Sequence, residues 1–351
     1  MPKYYELKAT PETCVWGYFD NSRKPVLEIE SGDIVMLESL THHAGDFPDY
    51  VFDEGVRAVY DAIPEDERKP GVHIITGPIF VKDAEPGDVL EVRVLNMVPR
   101  VPYGVTFEAN WGALYEEFGK TERTNLWYAD MDSGLAKVIT SYDYPILCDI
   151  AGRIMPKEKV EYKDTLKNVY VPLRLHFGTA GVMPKEEGRI NTIPPGEFGG
   201  NMDNRHFIPG TSMFYPVQVK GALFGAGDSH FTEGDAELCG TAIEGSVNAT
   251  LQFTLHKKGT TGLKLNENPV LETPENYVVH GLDRDLGKAM NKCALEAIDF
   301  LVNNKGLNRS EAYVFLSVAG DFAVTQVVDD VKGIHCVIPK KAFVPTNKGG
   351  L

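Results

Sequence analysis

The sequence lacks the features of nucleic-acid-binding, membrane-spanning and exported proteins. It has 351 residues, with 50 acidic and 35 basic side chains, a formal net charge of -15 and no cluster of Lys and Arg. Such clusters supply most of the affinity for nucleic acid, so we expect no nucleic-acid partner. No segment approaches the roughly 18 apolar residues of a spanning helix, and residues 1–8 contain no apolar signal segment. We therefore expect neither membrane insertion nor export.

Cysteine is scarce and odd in number. The five cysteines are widely scattered along the chain, at Cys14, Cys148, Cys239, Cys293 and Cys336. This pattern is typical of reduced thiols and not of a disulfide framework. The sequence therefore predicts a cytoplasmic protein.

Several catalytic motifs are also missing. There is no His-Glu-x-x-His helix, which excludes the familiar zinc-protease geometry, and no Gly-x-Ser-x-Gly or Gly/Ser-rich amidase signature. No helix or third glycine follows residues 225–227, so this segment is not a dinucleotide loop, and no His-x-His strand motif indicates a cupin-like oxygenase. A metal-dependent site, a cysteine nucleophile and a non-catalytic binding module remain.

The sequence instead shows a mainly β pattern. Residues 26–38 and 81–95 each contain a strand pattern, a Gly-Asp turn and a second strand pattern, and residues 247–255 alternate in polarity. Short strands between such turns favour a jelly-roll-like β-sandwich. Residues 105–165 are aromatic and acidic without a clean period, and we predict long loops there.

The last third of the chain predicts an α+β arrangement. Apolar residues at helical spacing from Leu286 predict a helix that ends near Gly306. A second helix is predicted from an N-cap at Ser310 to about Val318, followed by a strand over residues 333–338. We predict a β-sandwich domain over residues 1–165 and an α+β domain over residues 166–351.

The densest polar segment lies in the second predicted domain. A turn over residues 199–203, Gly-Gly-Asn-Met-Asp, precedes a strand-like piece. Between positions 228 and 244 the chain then places Asp228, His230, Glu233, Asp235, Glu237 and Glu244. A Gly-Asp turn alone is most often only a turn. Burying this many carboxylates is costly without a cation or donors, so the segment is predicted to be functional.

Two groups of residues predict a divalent metal. In an extended strand, Asp228 and His230 would project to one side, and residues 42–46, His-His-Ala-Gly-Asp, follow a strand. Mixed imidazole and carboxylate ligands favour zinc, with calcium as the alternative. The predicted ligands are His230, Asp228, His43 and Asp46, although His42 and His43 could equally be solvent-facing loop residues. The other histidines outside these groups are expected to be structural, namely His73, His206, His256, His280 and His335.

Cys239 offers a rival mechanism. A thiolate can act as a nucleophile and form a covalent intermediate with a substrate. Alternatively, Cys239 is a small buried residue, since no Lys or Arg lies near it in sequence to lower the thiol pKa.

The polar motifs closely resemble those of the acetamidase/formamidase family. That family has Gly-Gly-Asn-x-Asp, matched here at residues 199–203. It then has Gly-Asp-x-His-x-x-Gln-Gly-Asp-Gly-Glu and Cys-Gly-Thr-Ala-Ile-Glu, matched within residues 227–244. Similarity also covers residues 77–90 and 307–329, and so extends over nearly the whole chain. Glu233 replaces the family's usual Gln and Ala236 its usual Gly, which bears on substrate preference more than on reaction type.

The resemblance implies an amidase with a jelly-roll-like sandwich and an appended α+β part. The implied reaction is hydrolysis of a small neutral amide, such as formamide or acetamide, to a carboxylate and ammonia. In the mechanism we predict, a metal on His230 and Asp228 activates water and Glu237 carries the proton. The amide is expected to contact Asn201, Asp203, Gly200 and His176, the last in a segment that the family places near the substrate. We also expect a homo-oligomer.

Overall fold

The structure is a computed structural model that describes residues 1–144, 151–260 and 263–343, so Cys148 lies outside the described residues. The helices are α1 Pro48–Val51, α2 Glu54–Ala62, α3 Leu286–Lys305 and α4 Arg309–Ala319. The strands are β1 Tyr4–Leu7, β2 Cys14–Trp16, β3 Tyr18–Phe19, β4 Leu27–Ile29, β5 Ile34–Ser39, β6 Ile74–Val81, β7 Val89–Pro99, β8 Tyr103–Glu108, β9 Arg123–Asp130, β10 Leu135–Asp143, β11 Tyr170–Pro172, β12 His176–Gly181, β13 Ile190–Asn191, β14 Gly199–Asn201, β15 Ser212–Pro216, β16 Phe224–His230, β17 Val247–His256, β18 Val270–Glu272, β19 Asn276–Asp283, β20 Asp321–Gln326 and β21 Lys332–Pro339.

Two large sheets pack face to face. Among the described strands, nine form one sheet in the order β1-β5-β17-β7-β15-β18-β19-β21-β20. The other sheet has the order β14-β12-β16-β6-β2, with β4 parallel to β6. Apolar side chains from both sheets fill a common core that includes Val35, Leu37, Val92, Leu251, Phe253, Ile75, Ile79, Phe177 and Phe224. The chain is therefore a mainly β sandwich, as the sequence predicts.

The two Gly-Asp turns carry the chain from the smaller sheet to the larger one. One lies between β4 and β5, and the other lies between β6 and β7. In both turns an aspartate Oδ2 accepts a hydrogen bond from the backbone N–H three residues earlier, at 2.9 Å for Asp33 and 2.9 Å for Asp88. The repeated sequence pattern is thus a repeated connection between the layers of the sandwich.

An α+β part extends the larger sheet at its C-terminal end. Helices α3 and α4 pack on β19 and β21 through an apolar cluster that includes Val279, Cys293, Ala297, Leu316 and Cys336. Helix α3 ends at Gly306, which adopts the left-handed conformation as predicted. The predicted N-cap of the second helix was wrong: Asn308 caps α4 in a capping box with Glu311, two residues before Ser310. No helix in the described residues is both long and apolar enough to cross a membrane.

The sheets join the two halves of the chain. Strand β17 lies between β5 and β7, and β16 lies between β12 and β6. Both sheets therefore contain strands from before and after residue 165. The division into domains over residues 1–165 and 166–351 stays a prediction.

The expectation of long loops over residues 105–165 was wrong for part of this region. It contains most of β8 and all of β9 and β10, which form an antiparallel sheet with the later β11. A bulge between Val138 and Thr140 shifts the register of β10 against β9. An extra residue in a strand interrupts the alternation of inward and outward side chains. The sequence of β10 therefore does not alternate regularly between polar and apolar residues.

Candidate active site

Polar side chains gather at one end of the smaller sheet. Strand β16 ends with Asp228-Ser229-His230, and His73 directly precedes β6. Since β16 pairs with β6 at Gly227 and Ile75, Asp228 and His73 become neighbours, with 3.6 Å between Asp228 Oδ2 and His73 Nε2. The loop after β5 brings His42 to the same place, with its ring centroid 5.2 Å from that of His73.

These side chains line a cavity of about 200 Å³. Its polar wall comprises His42, His43, His73, Asp46, Asp203, Asp228, Glu237, Glu244, Asp329, Asn201, Thr241 and Arg153. Its other lining residues include Val72, Trp111, Tyr144, Ile193 and Val328. The cavity therefore presents carboxyl and imidazole groups to a small ligand and apolar contacts around them.

Three carboxylates of the site stand on strained backbone. The φ angles of Asp203, Asp228 and Glu237 are 47°, 48° and 46°. Non-glycine residues adopt this left-handed conformation rarely, and such strain concentrates at functional sites. Gly178 makes room for them, because a Cβ there would lie 2.5 Å from Asp203 Oδ1 and 2.7 Å from Asp228 Oδ2.

Asp228 is an ionised carboxylate in the cavity wall. It is only 3% exposed, and burial alone would raise its pKa. His73, His230 and His42 outweigh burial and hold the pKa of Asp228 well below its ordinary value. The Thr179 hydroxyl lies 3.1 Å from Asp228 Oδ2 and also contacts the amide oxygen of Asn201. Asp228 is thus a fixed negative charge in a nearly dry site.

His42 and His73 are neutral imidazoles beside Asp228. Burial lowers the pKa of both, and the neighbouring histidines lower it further. Their Nδ1 atoms have no hydrogen-bond partner among the described residues. One nitrogen from each ring and one oxygen of Asp228 lie within 4.8 Å of one another. A donor set of two neutral imidazoles and one carboxylate fits zinc or a similar ion.

His230 lies behind Asp228 and is fully buried. Its Nε2 is 3.6 Å from Asp228 Oδ2 and 3.3 Å from Glu244 Oε1, and its Nδ1 is 3.2 Å from Glu233 Oε2. Burial would lower its pKa, but Glu244 and Asp228 raise it well above the ordinary value. One nitrogen of His230 also lies within 4.8 Å of carboxylate oxygens of Asp203 and Asp228, so its role as a metal ligand stays a prediction.

The pKa of a second group of carboxyls in the cavity is raised. Burial, followed by the charges of Glu237 and Asp329, raises the pKa of Asp203 well above its ordinary range. Burial also raises the pKa of Glu237 well above its ordinary range, and that of Asp329 to about 7. The environments of Asp228 and of these carboxyls therefore shift their pKa values in opposite directions, which separates their possible acid and base roles.

His43 and Asp46 form a pair at the cavity wall. His43 Nδ1 is 3.0 Å from Asp46 Oδ2, and the Tyr144 hydroxyl donates to Asp46 Oδ1 at 3.2 Å. Burial would lower the pKa of His43, but the Asp46 hydrogen bond and charge raise it. His43 and Asp46, both predicted to be metal ligands, thus contact each other.

Most of the residues predicted from sequence meet at this cavity. Those that line it are His43, Asp46, Asn201, Asp203, Asp228 and Glu237. Gly200, His176 and His230 are not part of its described lining. His176 is fully buried in β12, with Nε2 2.9 Å from Glu233 Oε2, so it contacts the site through His230 and not through the cavity.

Sequence reasoning missed two residues of the cavity wall. His73 was expected to be structural but lies beside Asp228, and Asp329 was given no role. Both reach the site through strand pairing and loop packing, for which the sequence near them gives no signal. Glu244 was recognised only as part of the acidic segment. Its Oε1 accepts a hydrogen bond from the Ala242 N–H at 2.9 Å.

Ala236 carries avoidable strain beside Glu237. Its φ is 84°, in the region that favours glycine. We expect Ala236→Gly to stabilise the protein by about 1 kcal/mol, because the left-handed conformation costs an L-residue roughly this much. Equilibrium denaturant unfolding measures the change. The matched control is Ala294→Gly inside α3, which should destabilise by about 1 kcal/mol; a loss of stability in both variants would contradict the assignment of strain to Ala236.

Sequence comparison identifies proteins that share these motifs. The sequence model of the acetamidase/formamidase family matches residues 24–189 and 185–344. An acetamidase of Mycolicibacterium smegmatis is 28% identical over 234 residues, which are 56% of this chain and 57% of that protein. A formamidase of Methylophilus methylotrophus is 24% identical over 279 residues, 66% of this chain and 67% of that protein. The match to the acetamidase thus spans less than two thirds of its length.

The fold is shared over a greater length. The crystal structure of an acetamidase from Bacillus halodurans superposes with a TM-score of 0.74 and 26% sequence identity. The superposition covers 96% of this chain and 98% of that chain. The similarity therefore includes both the sandwich and the C-terminal α+β part.

Proposed function

The chain belongs to the acetamidase/formamidase family, and from this we propose that it hydrolyses the carbon–nitrogen bond of short linear amides. The products are a carboxylate and ammonia. Formamide and acetamide are the first substrates to test, because they are small and neutral and the cavity measures about 200 Å³.

One observation carries the proposal: a single cavity is lined by buried histidines and by carboxyls whose pKa values are shifted in opposite directions. His73, His230 and His42 lower the pKa of Asp228, whereas burial raises the pKa of Asp203 and of Glu237. Amide hydrolysis needs an activated water, a polarised carbonyl and a proton for the departing nitrogen. A site with both fixed charge and available protons supports that chemistry.

His42, His73 and Asp228 would hold a divalent metal. The orphan Nδ1 atoms and the buried carboxylate fit such an ion, and these ligands replace the predicted set of His230, His43 and Asp46 around Asp228. When bound, the metal supplies Lewis-acid polarisation of the amide carbonyl and lowers the pKa of water. His230 lies behind Asp228, with its Nε2 3.6 Å from Asp228 Oδ2, and would orient the carboxylate for the ion.

The proton and the amide are handled by other residues. Glu237 takes a proton from the attacking water and returns it to the leaving nitrogen, since a raised pKa makes its carboxyl a better proton acceptor than an ordinary glutamate. The Thr179 hydroxyl contacts the amide oxygen of Asn201, which leaves Asn201 Nδ2 as a donor to the substrate oxygen. A protonated Asp203 donates to the substrate in the same cavity.

The direct test combines ammonia release with metal analysis. Purified protein is assayed with formamide, acetamide, propionamide and urea, and its metal content is measured before and after chelation. We expect ammonia from at least one amide, with activity lost on chelation and restored by the metal. Ammonia from none of them would favour a binding protein without catalysis, and chelator-resistant activity would exclude the metal role.

Cys239→Ala should retain most of kcat. Cys239 is absent from the described lining of the cavity, its Sγ contacts the Thr241 carbonyl at 3.5 Å, and burial raises the pKa of its thiol. A nucleophilic thiol requires the opposite shift. Steady-state kinetics and mass spectrometry after mixing with substrate provide the check. An acyl-enzyme on Cys239, together with near-complete loss of turnover in the variant, would establish the cysteine mechanism instead.

A further inference from the structure

A second group of metal-ligand residues lies outside the cavity. It consists of His206, before β15; Asp235, in the acidic loop after β16; and His335, in β21. One ring nitrogen from each histidine and one carboxylate oxygen lie within 4.8 Å of one another. None of the three is part of the described cavity lining. The group is therefore separate from the one that includes Asp228.

Both imidazoles are available as ligands. Burial, followed by the charges of nearby residues, lowers the pKa of His335 to about 3. Burial also lowers the pKa of His206, with Arg205 and Arg174 adding to the shift against the opposing effect of Asp235. Neutral imidazole keeps the lone pair that a metal needs.

The side chains around the group orient its ligands. His335 Nδ1 is 2.9 Å from the Thr325 hydroxyl, and Asp235 Oδ2 is 2.7 Å from Arg205 Nη2. Hydrogen bonds of this kind to the second nitrogen or oxygen typically fix metal ligands. The nearby His280 differs, because its Nε2 is 2.7 Å from Asn204 Nδ2 and its Nδ1 is 2.8 Å from the Pro269 carbonyl oxygen. His280 is thus fully bonded and structural, as the sequence predicted.

The competing interpretation is a surface ion pair between Arg205 and Asp235 next to two packed histidines. The guanidinium charge opposes a cation, but it occupies only one carboxylate oxygen. Tetrahedral zinc ligands at 2.0–2.1 Å stand roughly 3.4 Å apart, so the group needs a movement of about an ångström to close around an ion. Half-exposed His206 and Asp235 side chains can move by this amount.

We propose that His206, Asp235 and His335 form a second divalent-metal site, selective for zinc or a similar borderline ion, with one coordination position left for water. The site would join the loop after β16, which contains Asp235, to the hairpin of β20 and β21, which contains His335. Backbone hydrogen bonds already connect them, from Ala236 N to Thr325 O at 2.9 Å and from Val327 N to Ala236 O at 3.2 Å. Bound metal would therefore stabilise the loop that carries Glu237.

Zinc titration of the full-length protein tests the site. The variants are His206→Gln and Asp235→Asn, which alter ligands that are not deeply buried. We expect calorimetry with zinc chloride to show one equivalent fewer per chain, or at least tenfold weaker binding, in each variant than in wild type. Zinc should also raise the wild-type Tm by about 3 °C more than that of either variant.

Two controls separate this site from the cavity. Arg205→Gln removes a neighbouring positive charge but no ligand, so zinc should bind at least as tightly as in wild type. His73→Gln alters the cavity group and leaves the second group intact. Zinc that still binds to this variant should therefore be lost when Asp235→Asn is added to it. Unchanged stoichiometry and affinity in both ligand variants would overturn the proposal, as would a wild-type protein that binds no second equivalent. These outcomes concern zinc alone and are independent of amide hydrolysis.

Discussion

Asp228→Asn is expected to lower kcat/KM for the best amide substrate by about 10³-fold and to remove the cavity metal with it. The variant takes away the ionised carboxylate that faces His73 and His42. Asparagine adopts the left-handed backbone more readily than most residues, so the φ of 48° at this position adds little strain. The expected losses of activity and metal would therefore result from removing the negative charge and the metal ligand at position 228, and not from misfolding. Metal analysis and steady-state kinetics on the same preparation measure both.

A matched control is available for this substitution. Asp83 has a φ of 62° and lies in an exposed turn. Asp83→Asn should therefore leave metal content and kcat/KM unchanged. If Asp228→Asn also keeps both at the wild-type level, the catalytic centre is not at Asp228, and His43 with Asp46 becomes the next candidate.

Glu237→Gln is expected to lower kcat by 10²- to 10⁴-fold while the metal stays bound, the result expected when a proton carrier is removed. Glutamine has nearly the same shape and keeps hydrogen-bonding capacity at this buried position, but it cannot transfer the proton. Substrate affinity should change far less than kcat. Exposed Glu116→Gln serves as the matched control and should behave as wild type.

The pH profile gives a second check on Glu237. Burial and then Asp329 and Glu233 raise its pKa, so the carboxyl is protonated over a wider acidic range than an ordinary glutamate. A general base must be ionised, so activity should fall as the pH drops through that raised pKa, which lies above the ordinary value of 4.5. Glu237→Gln should remove this acidic limb. If the variant instead loses the metal, Glu237 is a ligand and not the proton carrier.

The elements with strong local patterns were predictable. Strand β17 and helix α3 follow from polarity periods within short segments, and the end of α3 follows from Gly306. Within residues 105–165, where loops were predicted, strand β10 was missed because a bulge interrupts its period. A polarity period in the sequence predicts a regular strand or helix, and it disappears where pairing with another strand distorts the backbone.

By itself, the sequence determined the acidic, glycine-rich character of the site and several of the polar side chains that line its cavity. Residues 199–203 and 227–244 carry Asn201, Asp203, Asp228, Glu237 and Glu244, and turn and strand preferences within each segment suffice to present them. Only the tertiary structure decided their roles. Pairing of β16 with β6 brought His73 to Asp228, and the charges of Glu244 and Asp228 raised the pKa of buried His230. Contacts between distant segments and the desolvation of charges depend on the whole packed chain, and no short stretch of sequence contains them.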